Sequence, residues 1–396
     1  MHLPSVELWQ RITDAGLATA IECRQWAAQA AKVLKTAELS DGVRLAKELV
    51  EQSRLTAYQV EILFSDTPNA LKRGDWIVRM PVDDPMWRDW FVAERSAKGL
   101  RSPTTPSTTT CWVRWLDERA LLQLRSNGPS LKHLERQSQV RATHLQPIHG
   151  AEADHGQLAI VVDPLAGKSL PVVGQGHRFT VAQSLEIVRQ IATALSALHQ
   201  GEIVHGRVFP DRVYLAGKQC TLARDPLCEQ TAGLAHGKRE ATLQGLIGTQ
   251  LGDLRDCHFL APEFLAPGQT ATKSTDVYAL GCLWWWLLTG QAVTPGESDS
   301  QCMAGHARPL RELPESIELP EPLRRCLRHA LAKNPQARFE DAPHFCTAFD
   351  TAQQISVEDA QSAVQVASSG DAAVQTESSQ EEVAVRTNES VNSPRT

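Results

Sequence analysis

The segment Ile203–Leu215 (IVHGRVFPDRVYL) constrains the fold of this chain more than any other stretch. It comes soon after Ser184–His199, in which six apolar residues fall on one face at helical spacing. The segment carries His205, Pro210 and charged residues, and it ends in apolar residues that favour a strand. The sequence therefore predicts a long helix with one buried face, then a polar loop, and then a reversal of the chain.

Length and composition indicate a globular protein. The chain has 396 residues, of which 42% are hydrophobic, so it can bury a sizeable core in one large or two moderate domains. The longest apolar run, Ala279–Leu288, spans about ten residues and is too short to cross a bilayer. The N-terminus lacks a basic region followed by an apolar core. We therefore predict a cytoplasmic protein without a membrane anchor.

The cysteines give no sign of a disulfide framework or a metal centre. The chain has nine of them, an odd number, and they are scattered without C-x-x-C pairs. This pattern is typical of reduced thiols, so the sequence predicts neither a disulfide scaffold nor a zinc knuckle.

Charge is concentrated at the C-terminal end. Residues 355–396 hold two Asp and five Glu against two Arg, so this stretch accounts for most of the formal net charge of −6. It also lacks aromatic residues, and we predict a disordered acidic tail. The rest of the chain is close to neutral. Because a nucleic-acid binder needs a basic stripe to neutralise phosphates, no nucleic-acid partner is expected.

The first part of the chain has two regions with different hydrophobic patterns. Residues 1–70 are predicted to form a region of four short helices, because apolar residues recur at helical spacing; Asp41 and Thr56 are candidate helix caps. From Asp75 onward, β-like runs such as Trp76–Val78 and Trp90–Val92 take over. A helical prefix is therefore expected before a second domain.

Three blocks in the second half of the chain stand in an informative order. They are FLAPE at Phe259–Glu263, DVYALG at Asp276–Gly281 and CLRHALAKNPQARF at Cys326–Phe339. Together with Ile203–Leu215, whose frame matches a kinase catalytic loop, they resemble the bacterial Hanks-type serine/threonine protein kinase family. The resemblance implies an α+β, bilobal protein-kinase-like fold over residues 75–350. Its β-rich small lobe would cover about 75–163 and its mainly helical large lobe about 164–350.

The resemblance also implies a structural framework. In the family, the A-P-E glutamate pairs with a late arginine, which corresponds to Glu263 and Arg338 here. The aspartate that opens the next helix holds the catalytic-loop backbone, which assigns that role to Asp276, and His205 stands at the histidine of the loop. Because a buried pair that lost one member would leave an uncompensated charge, we expect this framework to be kept.

The positions that would touch ATP, magnesium or a substrate hydroxyl carry other residues. The resemblance places Asp83, Pro85 and Arg88 at the glycines of the Gly-rich loop, Arg114 at the strand lysine, Arg207 at the catalytic aspartate, Arg212 at the magnesium-binding asparagine, and Arg224 or Asp225 at the metal-binding aspartate. Arginine cannot accept a proton, and magnesium requires oxygen ligands. The chemistry of phosphoryl transfer therefore lacks most of its usual side chains.

We predict a catalytically inactive member of the family, a pseudokinase, that acts in signalling as a binding scaffold or allosteric regulator and needs no cofactor. Its expected partner is a protein, with an acidic or phosphorylated segment as the candidate contact. One alternative is an atypical, weakly active kinase that binds ATP and magnesium through substitutes such as Asp211 or Asp225. The other is an unrelated helical interaction protein.

Arg207, Arg212 and Arg224 are predicted to meet at the floor of one cleft, because the family geometry brings these positions together. Clustered guanidinium groups repel one another, so such a cleft would attract anions. Candidate occupants are an acidic or phosphorylated partner segment, or the tail's own Glu377, Glu381 and Glu382. The alternative is that Asp211 and Asp225 neutralise the arginines locally.

Two further residues each have two possible placements in the fold. Trp112 either fills the space that adenine takes in the family or packs on the outer face of its strand. Glu135 is either the helix glutamate that pairs with the strand cation or an exposed helix residue.

Overall fold

The computed structural model describes residues 3–95, 110–116, 121, 131–154, 157–175, 178–224, 226, 250–251, 254–265, 270–296, 298–359 and 361. Asp225 and residues 362–396 of the predicted tail lie outside these ranges, together with the tail glutamates proposed as anions. No helix within these ranges is both long and apolar enough to span a membrane.

The N-terminal region is helical, with five helices between residues 3 and 95 where the sequence suggested four. They are α1 (Ser5–Asp14), α2 (Ala20–Ala30), α3 (Thr36–Leu39), α4 (Gly42–Glu51) and α5 (Ala57–Leu63). The side chain of Asp41 accepts a hydrogen bond from Val43 N and caps α4, and Thr56 forms a capping box with Gln59 at α5. Buried leucines from α1, α4 and α5 give this region its own core.

Helix α5 also contacts the sheet of the next domain. Thr56 Oγ1 donates a hydrogen bond to the carbonyl oxygen of Arg79, and Gln59 Nε2 donates to that of Val78 at 2.8 Å. The same two side chains that cap the helix therefore fasten it to a strand.

The small lobe is built on a six-stranded antiparallel sheet in the order β1-β2-β3-β4-β6-β5. The strands are β1 (Lys72–Arg73), β2 (Trp76–Pro81), β3 (Phe91–Arg95), β4 (Thr110–Leu116), β5 (Ile148–Asp154) and β6 (Gln157–Val162), and helix α6 (Leu131–Gln139) packs against β5. Side chains alternate between the faces of β4, so that Trp112 and Leu116 share the inner face while Cys111 and Val113 share the outer one.

The large lobe is mainly helical. Its elements are β7 (Lys168–Ser169), α7 (Leu170–Val173), α8 (Val181–Gln200), β8 (Val213–Ala216), β9 (Gln219–Leu222), β10 (Gln250–Leu251), β11 (Leu254–Arg255), α9 (Lys273–Thr289), α10 (Asp299–His306), α11 (Glu321–Ala330) and α12 (342–359). Helix α9 is apolar on all sides and buried from Thr275 to Thr289, so it is the centre around which α8, α11 and α12 pack. The two lobes confirm the predicted α+β kinase-like fold.

One boundary differs from the sequence prediction. Helix α12 continues through residues 355–359, which were expected to begin the disordered tail. The helix is anchored by the buried side chains of Phe349 and Ala352, and adding residues to an existing helix costs little compared with nucleating one.

Candidate functional site: the cleft between the lobes

Asp276 lies directly beneath the predicted catalytic loop. It sits in the first turn of α9 and is only 1% exposed. Its carboxylate accepts hydrogen bonds from His205 N and Gly206 N, both at 2.7 Å, and from His199 Nε2 at 3.0 Å. Gly206 has a φ of +77°, a conformation that favours glycine, and it presents its N–H beside that of His205. The carboxylate therefore fixes the backbone of the loop.

Two neutral histidines extend this network. Ala342 N donates to His199 Nδ1 at 2.9 Å, so the His199 proton lies on Nε2 and points to Asp276. His205 Nε2 donates to the carbonyl oxygen of Ala223 at 2.9 Å, while its Nδ1 accepts from Arg207 N at 3.2 Å. Burial lowers the pKa of His205, which keeps this arrangement uncharged near neutral pH.

Glu263 and Arg338 form a bidentate ion pair. The two guanidinium-to-carboxylate distances are 2.8 and 2.7 Å, and the Arg338 side chain is 0% exposed. Arg338 also donates to the carbonyl oxygens of Ala332 and Lys333. The pair joins the segment 259–265 to the turn after α11, as the resemblance implies for these positions.

The space between the lobes is filled by aromatic side chains. Trp87 Nε1 donates a hydrogen bond of 2.9 Å to the hydroxyl of Tyr214 on β8, and this hydroxyl donates to Asp84 Oδ2 at 2.5 Å. The rings of Trp87 and Trp112 meet edge to face, 5.1 Å between centroids. Tyr214 and Ala223 of the large lobe pack in the same apolar cluster as Trp87, Trp90 and Trp112 of the small lobe. Of its two predicted placements, Trp112 therefore takes the one that faces the cleft.

The segment between β2 and β3 supplies most of this filling. Asp83, Pro85 and Arg88, which stand at the predicted glycine positions, are exposed, whereas Trp87 and Trp90 between and beyond them are buried. A short 3-10 helix, Pro85–Trp87, turns the tryptophans inward, and Asp84 Oδ1 caps it by accepting from Met86 N at 2.9 Å. Trp87, Trp90 and Tyr214 were not predicted as cleft residues from the sequence. The feature that could have indicated a filled cleft is the presence of two tryptophans in a segment that aligns with a glycine-rich loop.

Arg114 and Glu135 do not form the pair that the family pattern offered. Arg114 lies on the inner face of β4, two residues after Trp112, and is partly buried. Glu135 is exposed on α6. Between these two residues, both of which the structure describes, there is no ion pair, and Glu135 is the exposed helix residue of the two alternatives.

Arg207 and Arg212 lie close to Asp211. Arg212 is 4% exposed and Asp211 7% exposed, and the Arg207 guanidinium lies over the Phe209 ring at 5.6 Å. Burial raises the pKa of Asp211, while the positive charges of Arg212 and Arg207 oppose that rise. The negative charge of the Asp84 carboxylate also contributes to this rise in the pKa of Asp211. The arginines thus have an acidic neighbour within the protein.

Arg224 does not belong to an open anion cleft, contrary to the sequence prediction. It is 3% exposed, and its guanidinium donates to the carbonyl oxygens of Gln146 at 2.9 Å, Gln137 at 2.9 Å and Val140 at 3.5 Å. Gln137 and Val140 lie at the C-terminal end of α6, where unpaired carbonyls need donors. Burial lowers the pKa of Arg224 to about 9, so the side chain stays charged at neutral pH and serves as a helix cap.

Comparisons with known proteins agree with this architecture. The family model described as protein tyrosine and serine/threonine kinase matches residues 103–345. A curated relative, serine/threonine-protein kinase PknD of Mycobacterium tuberculosis, is 30% identical over 205 residues, which cover 50% of this chain and 29% of the relative. Serine/threonine-protein kinase PrkC of Bacillus subtilis is 30% identical over 164 residues, covering 40% and 23%.

The chain thus spans less than a third of the length of these relatives. The solved kinase domain of Mycobacterium tuberculosis PknI is similar at 19% identity, with a TM-score of 0.47, over 71% of this chain and 97% of that domain. Because the family model covers more than half of the sequence and its blocks form the framework described above, the chain belongs to the protein tyrosine and serine/threonine kinase family.

Proposed function

We propose that the protein is a catalytically inactive pseudokinase that works as a binding scaffold or allosteric regulator. The observation that carries the proposal is the aromatic cluster of Trp87, Trp112 and Tyr214, which occupies the space between the lobes and bridges them through a hydrogen bond. A ligand entering there would have to break that bond and move large buried rings, whose packing would be lost.

The polar residues around this cluster also disfavour phosphoryl transfer. Arg207 stands where the family places its base, and a guanidinium cannot accept the proton of a substrate hydroxyl. Arg212 stands at a metal-ligand position and repels a cation. In the same region Asp84 is bound to Tyr214, and its negative charge opposes the approach of phosphate oxygens.

The test is a titration of the full chain with ATP, with and without magnesium, followed by calorimetry and by the melting temperature. We expect no heat of binding and no stabilisation at millimolar ATP, because a ligand that binds only the folded state raises stability by RT ln(1 + [L]/Kd), which is close to zero when Kd far exceeds the ligand concentration. One of the kinase relatives serves as the positive control. Metal-dependent affinity below millimolar concentration would overturn the proposal.

A second candidate is a weakly active, ATP-binding kinase, and one observation favours it. Asp211 is a buried carboxylate of the catalytic-loop segment, and Asp84 of the small lobe is hydrogen-bonded to Tyr214, three residues after Asp211. Two carboxylates of this kind are ligands that magnesium accepts. Under this alternative, Asp211→Asn abolishes both magnesium-dependent ATP binding and any phosphate transfer, while under the main proposal it changes neither.

We further propose that the partner is a protein in the cytoplasm, rather than a nucleic acid or a membrane, and that an acidic or phosphorylated segment of it contacts Arg207. Arg207 is the least buried of the three predicted cleft arginines. Arg207→Ala should weaken binding of a phosphopeptide and reduce its salt sensitivity. The matched control is Arg88→Ala, an exposed arginine of the small lobe. Equal binding by wild type and Arg207→Ala excludes this contact.

A further inference from the structure

A second constellation lies in the large lobe, away from the cleft. Cys257 Sγ, a ring nitrogen of His258 and Cys302 Sγ all lie within 4.8 Å of one another, and all three residues are buried. Cys257 and His258 belong to a short 3-10 helix, Asp256–His258, that precedes the FLAPE block, while Cys302 belongs to α10. No metal site was predicted from the sequence because these residues come from two separate segments and no C-x-x-C pair marks them.

We propose that Cys257, His258 and Cys302 bind one zinc ion. Two thiolates and an imidazole form a ligand set that binds zinc in preference to magnesium or calcium. With Zn–S of about 2.3 Å and Zn–N of about 2.0 Å, tetrahedral ligands stand roughly 3.3–3.8 Å apart. The observed span of at most 4.8 Å therefore requires only small side-chain adjustments. In the part of the chain that the structure describes, no fourth His, Cys, Asp or Glu joins the group, and we assign the fourth position to a water.

The backbone around the site is already held in place. His306 lies one turn after Cys302 on α10, and its Nε2 donates to the carbonyl oxygen of Cys257 at 2.9 Å. Its Nδ1 accepts from the hydroxyl of Tyr278 at 2.7 Å. One imidazole thus ties the segment that carries two of the ligands to the helix that carries the third. Such fixed surroundings are what a metal site needs to orient its ligands.

The loop before α10 packs directly against the same site. A Cβ on Gly296 would lie 3.0 Å from Cys302 Sγ and 2.8 Å from Cys302 N, so only glycine fits against the thiol. A bound zinc ion would cross-link α10 to the segment that leads into Glu263 and its ion pair. The proposal is independent of whether the cleft binds a nucleotide.

The experiment measures metal in the full chain purified under reducing conditions. We expect about one zinc per chain by mass spectrometry of the metal, and proportionate release when the thiols are alkylated. After exchange for cobalt, the visible spectrum should show intense tetrahedral bands and thiolate-to-cobalt charge-transfer bands. Cys302→Ser should lose these bands. The matched control is Cys326→Ser, which removes a thiol buried elsewhere in the same core and should keep them.

Three results would overturn the proposal. One is a reduced wild-type chain that binds neither zinc nor cobalt, and another is a Cys302→Ser chain that binds both as tightly as wild type. The third is a peptide mass showing Cys257 and Cys302 joined as a disulfide, lighter by two hydrogens lost to an oxidant in the cell, in protein isolated without added oxidant or reductant. If Cys302→Ser does not fold, the alkylation-release measurement on wild type and the milder His258→Gln variant still decide the question.

Discussion

The catalytic-loop segment Ile203–Leu215 faces two regions of opposite character. Beneath it, Asp276 is 1% exposed and accepts hydrogen bonds from two backbone N–H groups and from His199. Above it, the cleft holds Trp87, Trp112 and Tyr214, which are joined mainly by ring contacts. A buried charge with backbone partners cannot be replaced without leaving those partners unsatisfied. Ring contacts carry no such constraint, because one apolar side chain can replace another of similar volume there.

The largest expected effect comes from removing the charge beneath the loop. Asp276→Ala leaves three buried donors without an acceptor, and we expect a loss of about 4 kcal/mol in the free energy of unfolding. Urea unfolding of the full chain measures it. The control is Glu315→Ala, an exposed carboxylate that should change stability by less than about 0.5 kcal/mol. A loss below about 1 kcal/mol for Asp276→Ala would contradict the comparison.

The next largest effect concerns the second buried charge of the framework. Glu263→Ala should cost about 3 kcal/mol, somewhat less than Asp276→Ala because Arg338 keeps its bonds to the carbonyls of Ala332 and Lys333. Thermal or urea unfolding reports the change. The exposed pair of Glu186 and Arg189 provides the control, since Glu186→Ala should cost no more than about 1 kcal/mol. Equal losses for the two variants would show that burial does not decide the energetics.

A pH experiment tests the neutral histidine that links the two regions. Burial lowers the pKa of His205; Asp276 opposes this shift, and Arg212 and Arg224 add to it. Below the ordinary histidine pKa of about 6.5, the unfolded chain therefore binds a proton that the folded chain does not take up as readily. The free energy of unfolding should decrease as the pH is lowered, by at most about 1.4 kcal/mol per pH unit for this one proton.

His205→Gln should flatten this part of the profile, measured as unfolding free energy between about pH 8 and pH 5. The variant cannot take up a proton, yet its amide can still donate to a carbonyl. The matched control is His344→Gln, because His344 is exposed and its pKa is raised by Asp341 rather than lowered. Identical slopes for wild type and His205→Gln would rule out this contribution.

The smallest effect is expected in the cleft. Tyr214→Phe removes the hydroxyl that accepts from Trp87 and donates to Asp84 but keeps the ring, and Asp84 is exposed enough to bond water instead. We expect a loss of about 1 kcal/mol, from urea unfolding. Tyr58→Phe in α5 is the control and should have no measurable effect. A loss for Tyr214→Phe as large as that for Asp276→Ala would mean that the cleft is as constrained as the region beneath the loop.

The sequence predicted the framework well because charges have few ways to be buried. Asp276, Glu263 and Arg338 stand in blocks with fixed spacing, and each of them needs a partner that the family pattern names. The fold followed from the order of these blocks, and the small-lobe strands from their β-like runs. These residues contact the partners that the resemblance implied.

The cleft was harder to predict, for physical reasons. Trp87 and Tyr214 are 127 positions apart, and nothing in the local pattern of a tryptophan reveals which distant ring it packs against. The prediction for Arg224 was wrong for another reason: the sequence shows that the side chain is charged but not which way it points. Only the fold shows that the carbonyls at the end of α6 lie closer to it than the cleft does.

The attachment of α5 to β2 has a consequence for how the molecule behaves at high concentration. Strand β1 pairs with β2 only at Trp76 and Ile77, so the side of β2 beyond them would be a bare strand edge. Thr56 and Gln59 occupy its carbonyls at Val78 and Arg79 instead. Exposed edges invite strands of neighbouring molecules to add to the sheet. The helical prefix therefore covers this edge of the sheet. We expect a chain without it to form concentration-dependent β-paired aggregates.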